Sequence, residues 1–257
     1  MGLLYLLQNR LIFHPESEMM EPAYFGLAGI EEVSYLAEDG LRLTSWFSPS
    51  RPNEPTIIFF HGNAGNLSHR GGRMKEAQEA GLGMLLVGYR GYGKSEGAPD
   101  EEGLYRDARA ALAYLRARPE VDTRKLVYFG ESLGCAVALD LAVTDPPAAI
   151  ILEAPFSSMR EEAAAVFPWL PTSLLLRSRF ENEKKASRVR SPALVVHGRR
   201  DEVVPFELGK KVFAALAGKK RFFELDCHHN DIPEAGGNEY REAWVRFVRQ
   251  NAGARDP

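Results

Sequence analysis

The stretch Leu126-Val127-Tyr128-Phe129-Gly130-Glu131-Ser132-Leu133-Gly134-Cys135-Ala136-Val137 passes from an apolar run of strand type, through a pentapeptide with glycine at both ends, into a helical pattern that continues through Asp140 and Leu141. Strand, sharp turn and helix in that order are the setting that a G-x-S-x-G nucleophile elbow requires. Ser132 must then sit on a strained turn that lifts its hydroxyl clear of a sheet. The positions two before and two after approach each other so closely that glycine is favoured at both. The helix opening behind the serine points backbone N–H groups and a positive dipole end toward the place where an oxyanion would form. Without its flanks the pentapeptide is a weak signal, and the plain alternative is a serine that caps a helix; the flanks favour a nucleophile.

Outward from this stretch the same alternation repeats. Thr56–Phe60, Met84–Gly88, Ala149–Glu153, Ala193–His197 and Arg221–Leu225 are further short runs of strand type separated by helical patterns, the mark of βαβ units on a parallel sheet. Ile57-Ile58-Phe59-Phe60, Leu85-Leu86-Val87, Ile150-Ile151-Leu152 and Leu194-Val195-Val196 are unbroken apolar runs, as strands covered on both faces should be. Two earlier runs, Glu31–Ala37 and Leu41–Phe47, flank Glu38-Asp39-Gly40, a turn signal that makes them an antiparallel hairpin. A helix starting at Asp100, with Glu101 and Glu102 in its positive first turn, buries Leu104, Ala108, Leu112 and Leu115 and is stopped at Pro119.

Between Phe156 and Ser191, ~35 residues stand where a crossover helix needs about half that, so a segment is inserted over one end of the sheet. The expected fold class is α/β: an eight-stranded, mostly parallel sheet flanked by helices, in a domain over 31–257 with a small helical cap at about 156–190, preceded by an N-terminal helix or arm over 1–30.

The 257 residues suit one domain whose core needs no disulfide or metal staple. The 32 Lys and Arg against 35 Asp and Glu leave a net charge of −3 and no concentrated basic face, which argues against nucleic acid as a partner. Cys135 and Cys227 supply neither a disulfide framework nor a CxxC ligand pair; two buried free thiols are expected over a single bridge. The run from Leu3 to Leu7 is far short of the ~18 to 20 residues that span a bilayer. It lacks the basic flank and cleavage site of a signal peptide. It reads as a short terminal helix packed on the body or, alternatively, as a segment making peripheral membrane contact, so the expected compartment is cytoplasmic or membrane-associated.

A serine hydroxyl is a poor nucleophile near neutral pH, so a base must accompany it, and an acid must hold the base's tautomer. Asp201 lies four residues past His197, in the loop after the seventh strand, and His229 lies four past Leu225, after the eighth. Both therefore fall on the carboxyl side of a strand, where open parallel sheets place their sites. Glu202 is a second candidate for the acid and His228 for the base. Adjacent residues point apart, so His228-His229 with Asp231 makes a poor metal site, and no metal or other cofactor is expected. His14, His61, His69 and His197 read as structural or surface histidines. The oxyanion hole should join the N–H of Leu133, the residue after the serine, to one from His61-Gly62-Asn63-Ala64-Gly65-Asn66, with Asn63 as donor. That loop lacks the spacing of a phosphate-binding loop.

These residues together resemble the serine-hydrolase branch of the α/β-hydrolase superfamily. Within it the chain looks most like the α/β-hydrolase domain proteins that carry HGNAGN, GYGxSEG, GESLG, GxxDExVP and HND motifs. Here they are His61 to Asn66, Gly91 to Gly97, Gly130 to Gly134, Gly198 to Pro205 and His229-Asn230-Asp231. The resemblance implies a Ser132, Asp201, His229 triad and prefers His229 over His228, because the family's base precedes Asn-Asp. It also implies esterase or thioesterase activity on acyl esters. His228 stands where relatives usually have glycine. The cap's Phe156, Met159 and Trp169, with neighbouring leucines, carry enough apolar surface to line an acyl pocket, though the same side chains could instead bind the cap to the body. A small cap suggests short to medium acyl chains.

Overall fold

In the computed structural model, which describes residues 8–166 and 176–253, the apolar runs become strands. The order is α1 (8–12), β1 (His14–Pro15), β2 (Glu31–Leu36), β3 (Arg42–Ser48), β4 (Thr56–Phe60), β5 (Ala64–Gly65), α2 (Gly71–Glu79), β6 (Gly83–Val87) and α3 (Glu101–Arg116). It continues with β7 (Leu126–Glu131), α4 (Leu133–Thr144), β8 (Ala149–Glu153), α5 (Met159–Val166), α6 (Asn182–Ala186), β9 (Ala193–Gly198), α7 (Phe206–Ala215), β10 (Lys220–Leu225) and α8 (Ile232–Ala252).

Eight strands form one sheet in the order β10-β9-β8-β7-β4-β6-β3-β2. Every pair from β10 to β6 is parallel, whereas β3 runs antiparallel to β6 and β2 antiparallel to β3. The expected hairpin is there, turning through Gly40 at φ +82. Side chains on a strand alternate between faces, so a continuous apolar run serves two cores at once. Along β4, Ile58 and Phe60 enter the core shared with α3, α4 and α7, while Ile57 and Phe59 enter the one shared with α2 and α8. The edge strand β10 instead exposes Arg221 and Glu224, charges that discourage pairing with a second sheet.

The Asp100 carboxylate caps α3 by accepting the Gly103 N–H at 2.7 Å. Glu101, whose charge suits the same helix end, also ties down the chain returning from the cap: its carboxylate accepts the N–H of Arg179 at 2.6 Å and of Phe180 at 2.9 Å. The Phe180 ring then meets Phe156, Phe13 and Tyr105 edge-on. Phe156 is 1% exposed. The expectation that it lines an acyl pocket gives way to the alternative, because a ring enclosed in this cluster fastens the cap's two ends to the body and offers no face to a ligand. Met159 is partly buried against the same core. Trp169 and the neighbouring cap residues Phe167, Leu170, Leu174 and Leu175 lie outside the described residues, as does the run from Leu3 to Leu7. Among the described residues no helix is long and apolar enough to cross a membrane. Cys135 and Cys227 are both buried and unpaired.

Candidate active site

Ser132 sits between β7 and α4 at φ +50 and ψ −114, a left-handed backbone that non-glycine residues rarely adopt. Its flanking glycines have a steric cause. A Cβ on Gly134 would lie 1.9 Å from the Phe60 carbonyl oxygen, and one on Gly130 would lie 2.5 Å from that of Gly134. Helix α4 therefore abuts the end of β4, and the turn is pinned by the Ser132 N–H donating to Glu153 O at 2.8 Å.

Asp201 and His229 come together as the sequence implies. His229 Nδ1 stands 2.7 Å from Asp201 Oδ2, and the N–H groups of Val203 and Val204 donate to Oδ1 at 2.9 and 2.7 Å. Burial would raise the Asp201 pKa, but hydrogen bonds from His197 and His229 hold the carboxyl well below its usual range. Burial would lower that of His229, and Asp201, Glu131 and Glu162 outweigh it and raise it. An ionised Asp201 can only accept, so His229 Nδ1 donates and its Nε2 is left to take a proton. The two rival candidates pair with each other instead, His228 Nδ1 lying 2.9 Å from Glu202 Oε2 in an exposed contact. His228 has φ −82, an ordinary extended backbone, so the position does not require the glycine seen in relatives. Among the described residues no hydrogen bond joins the Ser132 hydroxyl to His229. His229 and Glu131, the residue before Ser132, line a cavity of about 380 Å³ together with Arg70, Arg73 and Glu153.

Among the described residues nothing takes up the N–H groups of Asn63 and Leu133. Gly62 lies close enough to the elbow that a Cβ on it would be 3.6 Å from that of Ser132. The loop owes its shape to an element absent from the sequence reading. Strand β1 pairs in parallel with β5, so the N-terminal arm is laced onto the loop that should supply the oxyanion hole. Asn63 Nδ2 donates to Ile12 O at 2.9 Å, committing its side chain to the N-terminal arm. Asn66 Nδ2 donates to Glu16 O and Glu18 O at 3.0 and 2.7 Å. Two asparagines in HGNAGN were a signal for such a clamp, since their amides cross-link backbones.

A second unforeseen feature underlies the elbow. Glu131, half-buried, and Glu153, buried, are register partners on β7 and β8. Arg70 Nη2 lies 2.5 Å from Glu131 Oε1, and Arg73 Nη2 lies 2.5 Å from Glu153 Oε2, which also accepts the Tyr240 hydroxyl. Burial would raise the Glu131 pKa, yet Arg70 brings it down to about 2. Two like charges beside the serine are tolerable only because each carries its own guanidinium.

On cap helix α5, Glu162 faces His229 and Asp201, and its Oε2 is closed to solvent and has no partner. Burial pushes its pKa up from 4.5 to about 7, with His229 opposing and Asp201 adding. A raised carboxyl pKa costs no stability below the unfolded value; the cost grows as pH rises and is complete above about 7. Glu162→Gln is therefore expected to leave stability unchanged near pH 4.5 and to raise it by up to about 3 kcal/mol near pH 8. Denaturant titrations at the two pH values measure this, and an equal effect at both would sink it.

Residues 51–188 match the family model described as serine aminopeptidase, S33. The uncharacterized protein Rv2307c of Mycobacterium tuberculosis is 38% identical over 248 residues, covering 95% of this chain and 88% of its own. The α/β-hydrolase domain-containing protein WAV2 of Arabidopsis thaliana is 32% identical over 279 residues, covering 98% and 90%. Among solved structures, an esterase of Pyrococcus furiosus superposes with a TM-score of 0.79 over 94% of this chain and 99% of its own, at 17% identity.

Proposed function

The chain belongs to the α/β-hydrolase superfamily, and from that premise we propose that it is a serine hydrolase cleaving acyl esters of short to medium chain through Ser132, His229 and Asp201. The observation that carries this reading is the Asp201–His229 pair, 2.7 Å apart, which leaves His229 Nε2 as a base on the same sheet edge as the strained Ser132 turn. On substrate binding the Ser132 hydroxyl passes its proton to His229 Nε2 and attacks the ester carbonyl. The N–H groups of Asn63 and Leu133 receive the oxyanion, and His229 returns the proton to the leaving alcohol. Water activated by the same imidazole then releases the acid. A hydroxyl–imidazole bond that forms only with substrate in place is ordinary for unliganded enzymes. Met159 and Trp169 are the proposed contacts to the acyl group.

The esterase of Pyrococcus furiosus supports ester chemistry, whereas the serine aminopeptidase description favours a second reading, amide cleavage by the same three residues. A fluorophosphonate probe is expected to add covalently to Ser132, as read by intact mass and peptide mapping. Absence of an adduct would make the protein a binding module on a hydrolase fold. A p-nitrophenyl ester series, with a matched thioester and anilide, then separates the bond types; turnover of the anilide above the esters would favour the amidase.

A further inference from the structure

We infer that His197 is a positioning residue for this reaction: its Nε2–H, donated to Val204 O, also faces the Asp201 oxygen that orients His229. The inference rests on the proposed roles of Ser132, His229 and Asp201. His197 lies near the end of β9 with a fully buried side chain, and its Nε2 stands 3.0 Å from Val204 O and 3.2 Å from Asp201 Oδ2. Both neighbours only accept, so Nε2 must carry the proton, which in the neutral ring leaves Nδ1 bare. That bare Nδ1 has no partner and no access to solvent.

Two costs surround this ring. One is a buried nitrogen with its lone pair unanswered. The other is Gly209 within helix α7, where glycine is unfavourable and where a Cβ would lie 2.1 Å from His197 Nδ1. An apolar side chain could fill the space without the first cost. What the imidazole adds is a single N–H aimed at the loop that carries the acid. Val203 and Val204 hold Asp201 Oδ1, His229 holds Oδ2, and His197 braces the Val204 carbonyl with its Nε2 close against Oδ2. With both oxygens held, the carboxylate cannot rotate about Cβ–Cγ and swing Oδ2 away from His229 Nδ1. Without His197, the oxygen that orients the base has, among the described residues, the base as its one side-chain partner.

The test compares kcat, KM and thermal midpoint for the wild type, His197→Leu and His197→Gln on a p-nitrophenyl ester, with Ser132→Ala and His229→Ala alongside. Glutamine presents N–H donors near the position of imidazole Nε2; leucine fills volume alone. His197→Leu should lose roughly ten- to a hundredfold in kcat with KM unchanged, and His197→Gln should regain most of it. If leucine keeps more than half of the wild-type kcat, or both variants fall alike, the ring is packing and the inference fails, while the inactive Ser132 and His229 variants leave the catalytic reading standing. An active Ser132→Ala would take down both. Independently of any variant, the nitrogen spectrum of labelled wild-type protein should show His197 protonated at Nε2 and bare at Nδ1; the opposite tautomer would overturn the inference.

Discussion

Ser132→Ala is expected to lower kcat toward p-nitrophenyl butyrate by about five to six orders of magnitude. The whole covalent route passes through one oxygen atom, and among the described residues nearby nucleophiles are closed off: Cys135 is fully buried, and Ser157 lies buried on the cap side with its hydroxyl bonded to Glu161. Without that oxygen, water must attack directly. The variant then keeps only what the pocket and oxyanion donors supply, about 10³ to 10⁴ over the uncatalysed reaction. Among the described residues the Ser132 hydroxyl makes no hydrogen bond, and alanine meets the same backbone strain at φ +50, so the thermal midpoint should stay where it is. The loss would therefore report on chemistry and not on folding. A purified, probe-silent variant that retains a tenth of the wild-type rate would mean that another nucleophile operates.

Gly134→Ala should instead cost stability, by about 3 kcal/mol or more, and lower the thermal midpoint by about 10 °C. The new methyl carbon would sit 1.9 Å from Phe60 O, 2.5 Å from the Phe60 carbonyl carbon and 2.9 Å from His61 O. All three are backbone atoms of the central strand and of the loop after it, so no rotamer change relieves the clash; α4 or the end of β4 must move. Either shift displaces the N–H of Leu133 relative to that of Asn63, so residual activity should fall along with stability. A variant with an unchanged melting curve would show that α4 approaches the sheet less closely than these distances imply.

Two kinds of residue behaved differently between sequence and structure. Strands such as Ile57–Phe60 and Ile150–Leu152 were legible because an apolar run must be buried wherever it goes, and here both faces of the sheet bury it. Ser132, Asp201 and His229 were legible as positions because each follows a strand whose end places it on one sheet edge. Arg70, Arg73 and Glu131 were opaque. A lone charge in a sequence reads as solvated, and only the meeting of the start of α2 with the ends of β7 and β8 draws these three, with Glu153, into two largely enclosed ion pairs. Phe156 was ambiguous for a related reason, since its apolarity says that it is covered but not by what. His197 read as a structural histidine, and its proximity to Asp201 arises from the turn after β9.

Local chemistry written in the chain settled the strand and helix alternation, the strained serine between its two glycines, and the loops on which acid and base would ride, because each depends on neighbours within a few residues. Which imidazole meets which carboxylate was decided by folding alone. His229 reaches Asp201 and His228 reaches Glu202 through backbones brought together from β9 and β10. The same holds for the N-terminal arm that shapes the Asn63 loop, since a hydrogen bond between segments some fifty residues apart leaves no periodicity in either of them.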